Sequence, residues 1–469
     1  MIESTTPKQR HAVVLAAGKS TRFKSETPKL LHKLCGKLLV CHLLDRLTAL
    51  DVGRIVVVLG HGSESVREAL SDYPVDFALQ EQQLGTGHAT MCAAPALKGL
   101  EGSVLVLYGD TPLISRDTLH RLYETREKED ADEVILTVET TEPEGYGRIV
   151  RDGEGKPARI VEEKDTSPEE KLIREINAGF VCFRISTLLE HLPLLSNRNA
   201  AGEYYLTDIL GLLRERGKKV VTVPAVSVLE TVGINSREEL SRVESVLRAE
   251  IAAKWMSEGV TILNPATVYI DPEVTIGADT IIYPGVFIEG KSQIGPRCTI
   301  RSGCHLLDAV LEADVVVDQC SVIRRSSVGS GTTVGPFAHL REHSSVGGNA
   351  RIGNFVEVKK SEIGDGSKAA HLAYLGDATL GKDVNIGAGA ITCNYDGVNK
   401  NKTVIEDGVF VGSDSQLVAP VTVHRGAYVA AGSTITEDVP PGSLAIARGK
   451  QVNKEGWVAK KGRQREEGQ

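Results

Sequence analysis

Apolar and polar positions alternate in two different rhythms along this chain of 469 residues. In the first, short apolar runs are separated by longer stretches in which apolar residues recur at helical spacing. Residues 11–17, 54–59 and 103–107 read as buried strands, and residues 38–50, 63–71 and 116–128 as the helices between them. Such alternation predicts an α/β domain, Rossmann-like, around a largely parallel sheet that binds ligands at the carboxyl ends of its strands. Residues 236–257, apolar among frequent charges, predict a linking helix.

Beyond Ile270 the period becomes six. Aliphatic residues fall at Ile276, Ile282, Ile288, Ile294, Ile300 and Leu306. After a slip of four they resume at Val310, Val316, Val322, Val328, Val334, Leu340, Val346, Ile352 and Val358. They return at Val411, Leu417, Val423, Val429 and Ile435. A period of six suits neither an α-helix nor a single strand. It suits a β-helix of hexapeptide repeats, in which no rung buries its aliphatic side chain alone and stacking builds the core. Glycine supports the division, with 19 of the 47 glycines in residues 1–250 and 28 in the shorter remainder. The predicted organisation is an α/β domain over 1–235, a linker helix over 236–257 and an all-β repeat domain over 258–469. Two stretches, 364–382 and 394–402, read as interruptions of the repeat, and interruptions on a rigid solenoid are natural places for a site. Pro440-Pro441-Gly442 predicts the end of the coil, and the charged tail KKGRQREEGQ is expected to be mobile.

Composition narrows the function classes. The formal charge is −8, from 62 acidic and 54 basic residues, with no basic run before the extreme tail. This excludes a dedicated nucleic-acid binder but not a phosphate site built from a few cations and backbone N–H groups. No apolar stretch approaches membrane-spanning length, and the run at 12–17 is too short for a signal-peptide core. The eight cysteines form no CxxC or zinc spacing, which predicts a reduced, cytoplasmic setting.

Chemistry gathers at a few places. Leu15-Ala16-Ala17-Gly18-Lys19-Ser20-Thr21-Arg22, with Pro28-Lys29 after it, combines small residues with cations suited to phosphate; a Walker loop is excluded because position 13 is Val13. Gln80, Gly85, Thr86 and the Tyr108-Gly109-Asp110 turn follow. Asp110, at a strand end, suits either a hard cation or a helix cap. In the repeat half, His371 lies in AAHLAYLGD among amides and cations, although a lone histidine on a solenoid is more often an incidental surface residue.

The ordered set LAAGKSTRF…PKLLHKLCGKLL, LGTGHA, YGDTPL, GYGRI, IVEEKD, EINAG, GEYYLTD and GIN resembles the sugar-1-phosphate uridylyltransferases. With the hexapeptide half, residues 11–457 resemble the bacterial bifunctional N-acetylglucosamine-1-phosphate uridylyltransferase/glucosamine-1-phosphate N-acetyltransferase family. The resemblance implies a left-handed β-helix, a homotrimer, and two reactions. Acetyl-CoA would acetylate glucosamine 1-phosphate, and UTP with Mg²⁺ would then convert N-acetylglucosamine 1-phosphate to UDP-N-acetylglucosamine, a precursor of peptidoglycan and lipopolysaccharide.

It also implies roles. Leu15, Ala16, Ala17 and Gly18 would form the nucleotide loop, with Lys29 and Arg22 neutralising phosphate. Gln80, Gly85 and Thr86 would read uracil and ribose; Tyr108 and Gly109 would line the site; Asp110 and Asn235 would bind Mg²⁺. Gly147, Glu162 and Asn177 would contact the amino sugar. His371 would be the base for acetyl transfer, oriented by Glu357, with Arg341, Lys359, Tyr374 and Asn385 on the sugar phosphate. Ala388, Asn394, Tyr395, Ser413, Ala431 and Arg448 would hold acetyl-CoA. Three departures stand out: Ser20 for the loop's usual Gly, Phe23 for Met, and Ala370 for the Gly before the histidine. Cys393 invites an acyl-enzyme reading, but a small residue in a β-helix corner accounts for it better. The alternative to two reactions is a single nucleotidyltransferase whose β-helix only assembles an oligomer.

Overall fold

A computed structural model describes residues 10–18, 21–60 and 63–466. They belong to two compact units, Met1–Leu247 and Arg248–Gln469.

In the first unit, the strand Arg10–Ala16 lies between Arg54–Leu59 and Ser103–Tyr108, parallel to both. Asp76–Leu79 extends one side in parallel. On the other, Glu175–Arg184 runs antiparallel, followed by Glu133–Glu139 and Val220–Pro224. A hairpin of Arg148–Arg151 and Pro157–Val161 attaches through Arg148 opposite Ile176. Ala12, Val13 and Val14 are all fully buried, so both faces of the sheet are covered, as a near-continuous apolar run requires. On one face Val13, Val56, Val58 and Val106 share a core with Ala89, Ala93 and Leu97 of the helix Thr86–Leu97. The chain leaves the central strand toward one edge and returns on its other side, which opens a crevice beyond the carboxyl ends of Arg10–Ala16 and Ser103–Tyr108.

The second unit is a parallel β-helix. Strand partners recur 18 or 17 residues apart, as in Ile281 opposite Thr299 and Thr299 opposite Val316. Two faces merge into a 19-stranded sheet because Arg351–Lys359 and Lys368–Gly376 run through a corner; the third face is a 9-stranded sheet. One column of Ile, Val, Leu and small residues fills the interior. Buried hydroxyls serve the corners: Ser367 Oγ donates to Gly381 O at 2.8 Å and accepts the Val384 N–H at 3.0 Å. They pair backbone groups where the strands turn.

The predicted period is present, but its phase differs over one stretch. The inward residues are Leu311, Val317 and Ile323, while Val310 is exposed and Val316 and Val322 are half-buried. Five-residue corners cause the shift, each turning through a left-handed residue: Asp308, Arg325, Lys360 and Asp377 have φ of 49°, 44°, 48° and 48°. Residues 364–382 are a regular coil too, with Ala369, Leu375 and Leu380 turned inward, so 394–402 is the true insertion of the two. The coil also outlasts Pro440-Pro441-Gly442, since Leu444–Ala445 pairs with Tyr428–Val429. A helix, Trp457–Glu466, spans part of the tail, and residues 467–469 lie outside the described residues. The helix Arg237–Ser257 supplies Ala252 and Trp255 to the β-helix core.

Ile323→Ala should cost the second unit about 2–5 kcal/mol in urea unfolding, whereas Val322→Ala should cost under about 1 kcal/mol. The reverse ranking would contradict the inward assignment.

Candidate functional site

The crevice of the first unit is built from both sides of the strand crossover. Gly109 N–H donates to Leu15 O at 2.9 Å, which sets the Tyr108-Gly109-Asp110 turn against the loop of Leu15, Ala16, Ala17 and Gly18. Gln83 donates to Ala17 O from the far side. Arg22 is exposed on the short turn Thr21–Phe23, and Lys19 and Ser20 lie outside the described residues.

Lys29 Nζ donates to Asp110 Oδ2 at 2.5 Å and to Asn235 Oδ1 at 3.3 Å. Asn235 is placed by a reciprocal helix cap. Glu239 Oε2 accepts the N–H groups of Asn235 and Ser236 at 2.5 and 2.9 Å, and Ser236 Oγ accepts the Glu239 N–H at 3.1 Å. A carboxylate and an amide oxygen thus converge on one cation. This donor pair fits a hard divalent ion that takes its remaining ligands from substrate phosphates and water. Among the described residues no group of three or more His, Cys, Asp and Glu side chains could enclose a metal.

Gln80 is buried, with Nε2 donating to Gly85 O at 3.0 Å. Gly85 has φ of 102°, and a Cβ there would stand 2.6 Å from Tyr204 O, so this position needs glycine. Gly87 N–H donates to Tyr204 O at 2.8 Å, and Thr86 Oγ1 accepts the Leu206 N–H at 3.1 Å. These bonds fix the start of the helix Thr86–Leu97 at the crevice.

Gly147, Glu162 and Asn177 are brought together. Gly147 O accepts the Asn177 N–H at 2.8 Å, and a Cβ on Gly147 would lie 3.6 Å from the Glu162 carboxyl. Thr207 Oγ1 donates to Glu162 Oε1 at 2.9 Å. Burial raises the Glu162 pKa, and nearby Asp208, Asp165 and Glu203 raise it further. Asn177 Oδ1 accepts the Gly179 N–H at 3.0 Å, and Gly179 leaves room for the Tyr108 ring. Burial likewise raises the Tyr108 pKa, with Glu162 and Asp110 adding to it. Tyr108 therefore stands within electrostatic reach of both ends of the crevice. Thr207, Tyr204 and Gly179 were not among the predicted site residues, although GEYYLTD and EINAG contain them.

In the second unit, register places Asn354 opposite His371 and Glu357 opposite Tyr374. His371 Nδ1–H donates to Asn354 Oδ1 at 2.7 Å, which leaves Nε2 as the basic nitrogen of an exposed imidazole. Glu357 does not orient this histidine. Its Oε1 accepts from Arg341 Nη1 at 2.8 Å, and in register it faces Tyr374, past the corner that follows the His371 pairing position. Arg341, Lys359 and Lys400 form a cationic group. The Lys359 pKa is lowered mainly by Lys400, then by burial and Arg341. Lys400 comes from the 394–402 insertion and was not predicted. Asp396 Oδ1 organises this insertion by accepting the N–H groups of Val398 and Asn399 at 2.8 and 2.6 Å. Asn394 donates to Asp377, and Tyr395 pairs with Lys400.

Ala388, Ser413, Ala431 and Arg448 follow His371 down one corner. Backbone bonds link the coils from Gly389 N–H to Leu372 O (2.6 Å), Asp414 N–H to Ala388 O (2.8 Å) and Gly432 N–H to Ser413 O (2.8 Å). Arg448 Nη1 donates to Ala431 O at 2.7 Å. Small side chains thus line a track with a cation at its far end. Asn385 lies on the neighbouring strand, opposite Lys368 and Phe410. Ala370 is half-buried, and its carbonyl requires glycine one coil away, since a Cβ on Gly353 would meet Ala370 O at 1.9 Å. Cys393 is half-buried and burial raises its thiol pKa, which disfavours a reactive thiolate.

A MobA-like NTP transferase domain matches residues 12–203, a GMPPB C-terminal domain residues 264–347, and a bacterial transferase hexapeptide (six repeats) residues 402–437. The chain is 48% identical over 451 residues to a protein of Shouchella clausii named "Bifunctional protein GlmU", covering 96% of this chain and 99% of that one. Relatives of the same name from Geobacillus sp. and Clostridium novyi are each 49% identical, over 96% and 97% of this chain and 98% and 99% of theirs.

Gly179→Ala would place its Cβ 2.4 Å from Tyr108 Cε2 at φ of 81°. Thermal unfolding should show the first unit destabilised by about 1–3 kcal/mol. Unchanged stability would mean that Tyr108 does not need this space.

Proposed function

The chain belongs to the bifunctional GlmU family, and we propose that the residues described above divide the family's two reactions between its two units. The enzyme transfers acetyl from acetyl-CoA to glucosamine 1-phosphate, then uridylyl from UTP to N-acetylglucosamine 1-phosphate, releasing pyrophosphate and forming UDP-N-acetylglucosamine. The proposed division assigns uridylyl transfer to 1–235, the linker helix to 236–257 and acetyl transfer to the left-handed β-helix of 258–469.

In the first site, an oxygen of the sugar phosphate attacks the α-phosphorus of UTP in line as pyrophosphate leaves, so no protein nucleophile is required. Gln80, Gly85 and Thr86 seat the base and ribose, and Glu162, Asn177 and Gly147 seat the sugar. Asp110 and Asn235 would hold Mg²⁺, which would supply charge neutralisation and phosphate alignment. Lys29, beside those two oxygens, and Arg22 neutralise the phosphates.

In the second site, Asn354 holds the His371 Nδ1 proton so that Nε2 can take a proton from the attacking amine. The new C–N bond forms at the thioester carbonyl, the C–S bond breaks, and CoA leaves as its thiol after protonation. Arg341, Lys359 and Lys400 hold the phosphate, with Tyr374 and Asn385 beside the sugar. Ala388, Ser413, Ala431 and Arg448 guide the CoA arm, and Asn394 and Tyr395 stand near the acetyl group. The observations that best support this reading are the oriented His371–Asn354 pair and, further along the same paired strands, the cationic group of Arg341, Lys359 and Lys400. A purely assembling rod would need neither.

A homotrimer fits one further feature. Phe337 and Phe355 stack at 5.6 Å while 51% and 58% exposed, and Leu372 next to His371 is 61% exposed. A second copy of the chain would cover this stripe. No described helix is long and apolar enough to cross a membrane, and a cytoplasmic location suits UTP and acetyl-CoA as substrates.

His371→Ala should lower thiol release from acetyl-CoA and glucosamine 1-phosphate by about 10²–10⁴-fold while pyrophosphate release from UTP is retained. Asn354→Ala should lower thiol release less. Wild type that releases pyrophosphate but never thiol would defeat the acetyl-transfer assignment.

A further inference from the structure

Resting on the acetyl-transfer reading of the second site, we propose that Arg324 is a further binding residue for the phosphate of glucosamine 1-phosphate. Register places it there. Ile323 pairs with Leu340 and Leu340 with Val358, so the next residues, Arg324, Arg341 and Lys359, form one outward column on three successive coils. Neighbouring coils lie about 4.8 Å apart. Ser326 Oγ stands within hydrogen-bonding distance of both Arg324 O (2.8 Å) and Arg341 O (2.7 Å), and its one O–H is shared between these two positions.

The column has more positive charge than its immediate partners balance. Glu357 pairs with Arg341, and Lys359 faces Lys400. Glu342, half-buried, has its pKa lowered first by its own backbone N–H and then by Arg341, Arg325 and Arg324, so this one carboxylate offsets part of the column's charge. Arg324 Nε is buried and has no hydrogen-bond partner. The pKa of His339, between the arginines and Glu357, is lowered first by burial, with Arg341 and Arg324 contributing, so a neutral ring lies beside the column. Stacked like charges with an unused N–H are unfavourable alone and favourable around a shared dianion. A phosphate monoester supplies that charge, and an arginine can meet it through Nε and Nη together.

Steady-state thiol release with glucosamine 1-phosphate varied tests this. Arg324→Gln should raise KM for glucosamine 1-phosphate about 5- to 20-fold. It should leave kcat, KM for acetyl-CoA and pyrophosphate release within about twofold of wild type. Arg324→Lys, which keeps the charge but loses the fork, should fall between. Inorganic phosphate should inhibit Arg324→Gln more weakly by a similar factor. A wild-type KM for glucosamine 1-phosphate in both variants overturns the proposal, as does a loss shared equally with KM for acetyl-CoA, which marks a structural role. If Arg324→Gln does not fold, Arg324→Lys decides by the same split. Wild type without thiol release would instead defeat the acetyl-transfer reading. Calorimetric binding of inorganic phosphate, with Arg341→Gln as the control for loss, would then still test the column, and equal binding by wild type and Arg324→Gln overturns it.

Discussion

Parallel pairing between strands is the constraint on which both sites depend. Evenly spaced, in-register neighbours bring side chains from distant parts of the chain to fixed separations. In the first unit this aligns Leu15 with Tyr108 and lets Gly109 bond back to Leu15, so the loop of Leu15 to Gly18 and the Asp110 turn share one crevice. In the second unit it sets Asn354 beside His371 and threads Ala388, Ser413 and Ala431 down a single corner. The backbone ladder places these groups before any side-chain interaction refines them.

Much of this was legible in the sequence because its periodicities are strong. The six-residue rhythm announced the β-helix, and the strands at 54–59 and 103–107 were nearly correct in extent. The phase was lost where two aliphatic residues stand side by side, as at Val310-Leu311, Val316-Val317 and Val322-Ile323. Either member could fill the interior, and only the shortened corners decide between them. The coil at 364–382 looked like a break because Ala369 is too small to stand out in an aliphatic ladder and the five-residue corners at Lys360 and Asp377 put Leu375 and Leu380 out of phase with it. Pro440-Pro441-Gly442 stops a strand but not the winding of the coil.

At the candidate sites, the motifs nominate residues but not the partners those residues take. A carboxylate is the common companion of a catalytic histidine, and Glu357 was nearby in sequence, but register gives Asn354 that place. An amide can hold the Nδ1 proton without adding negative charge where an anionic substrate must bind. Asn235 was assigned as a metal ligand by resemblance; the physical reason for its position is the Ser236–Glu239 cap, whose residues follow it directly.

The insertion at 394–402 lies outside the stacked coils but brings Lys400 to Lys359 and Tyr395 to the same surface. Each doubling of a flexible loop's length adds only about 0.6 kcal/mol to its closure cost. Homologous chains could therefore vary this segment in length and composition while the coils above and below keep their spacing. The loop is thus a place where the chain can change without altering the spacing of the solenoid.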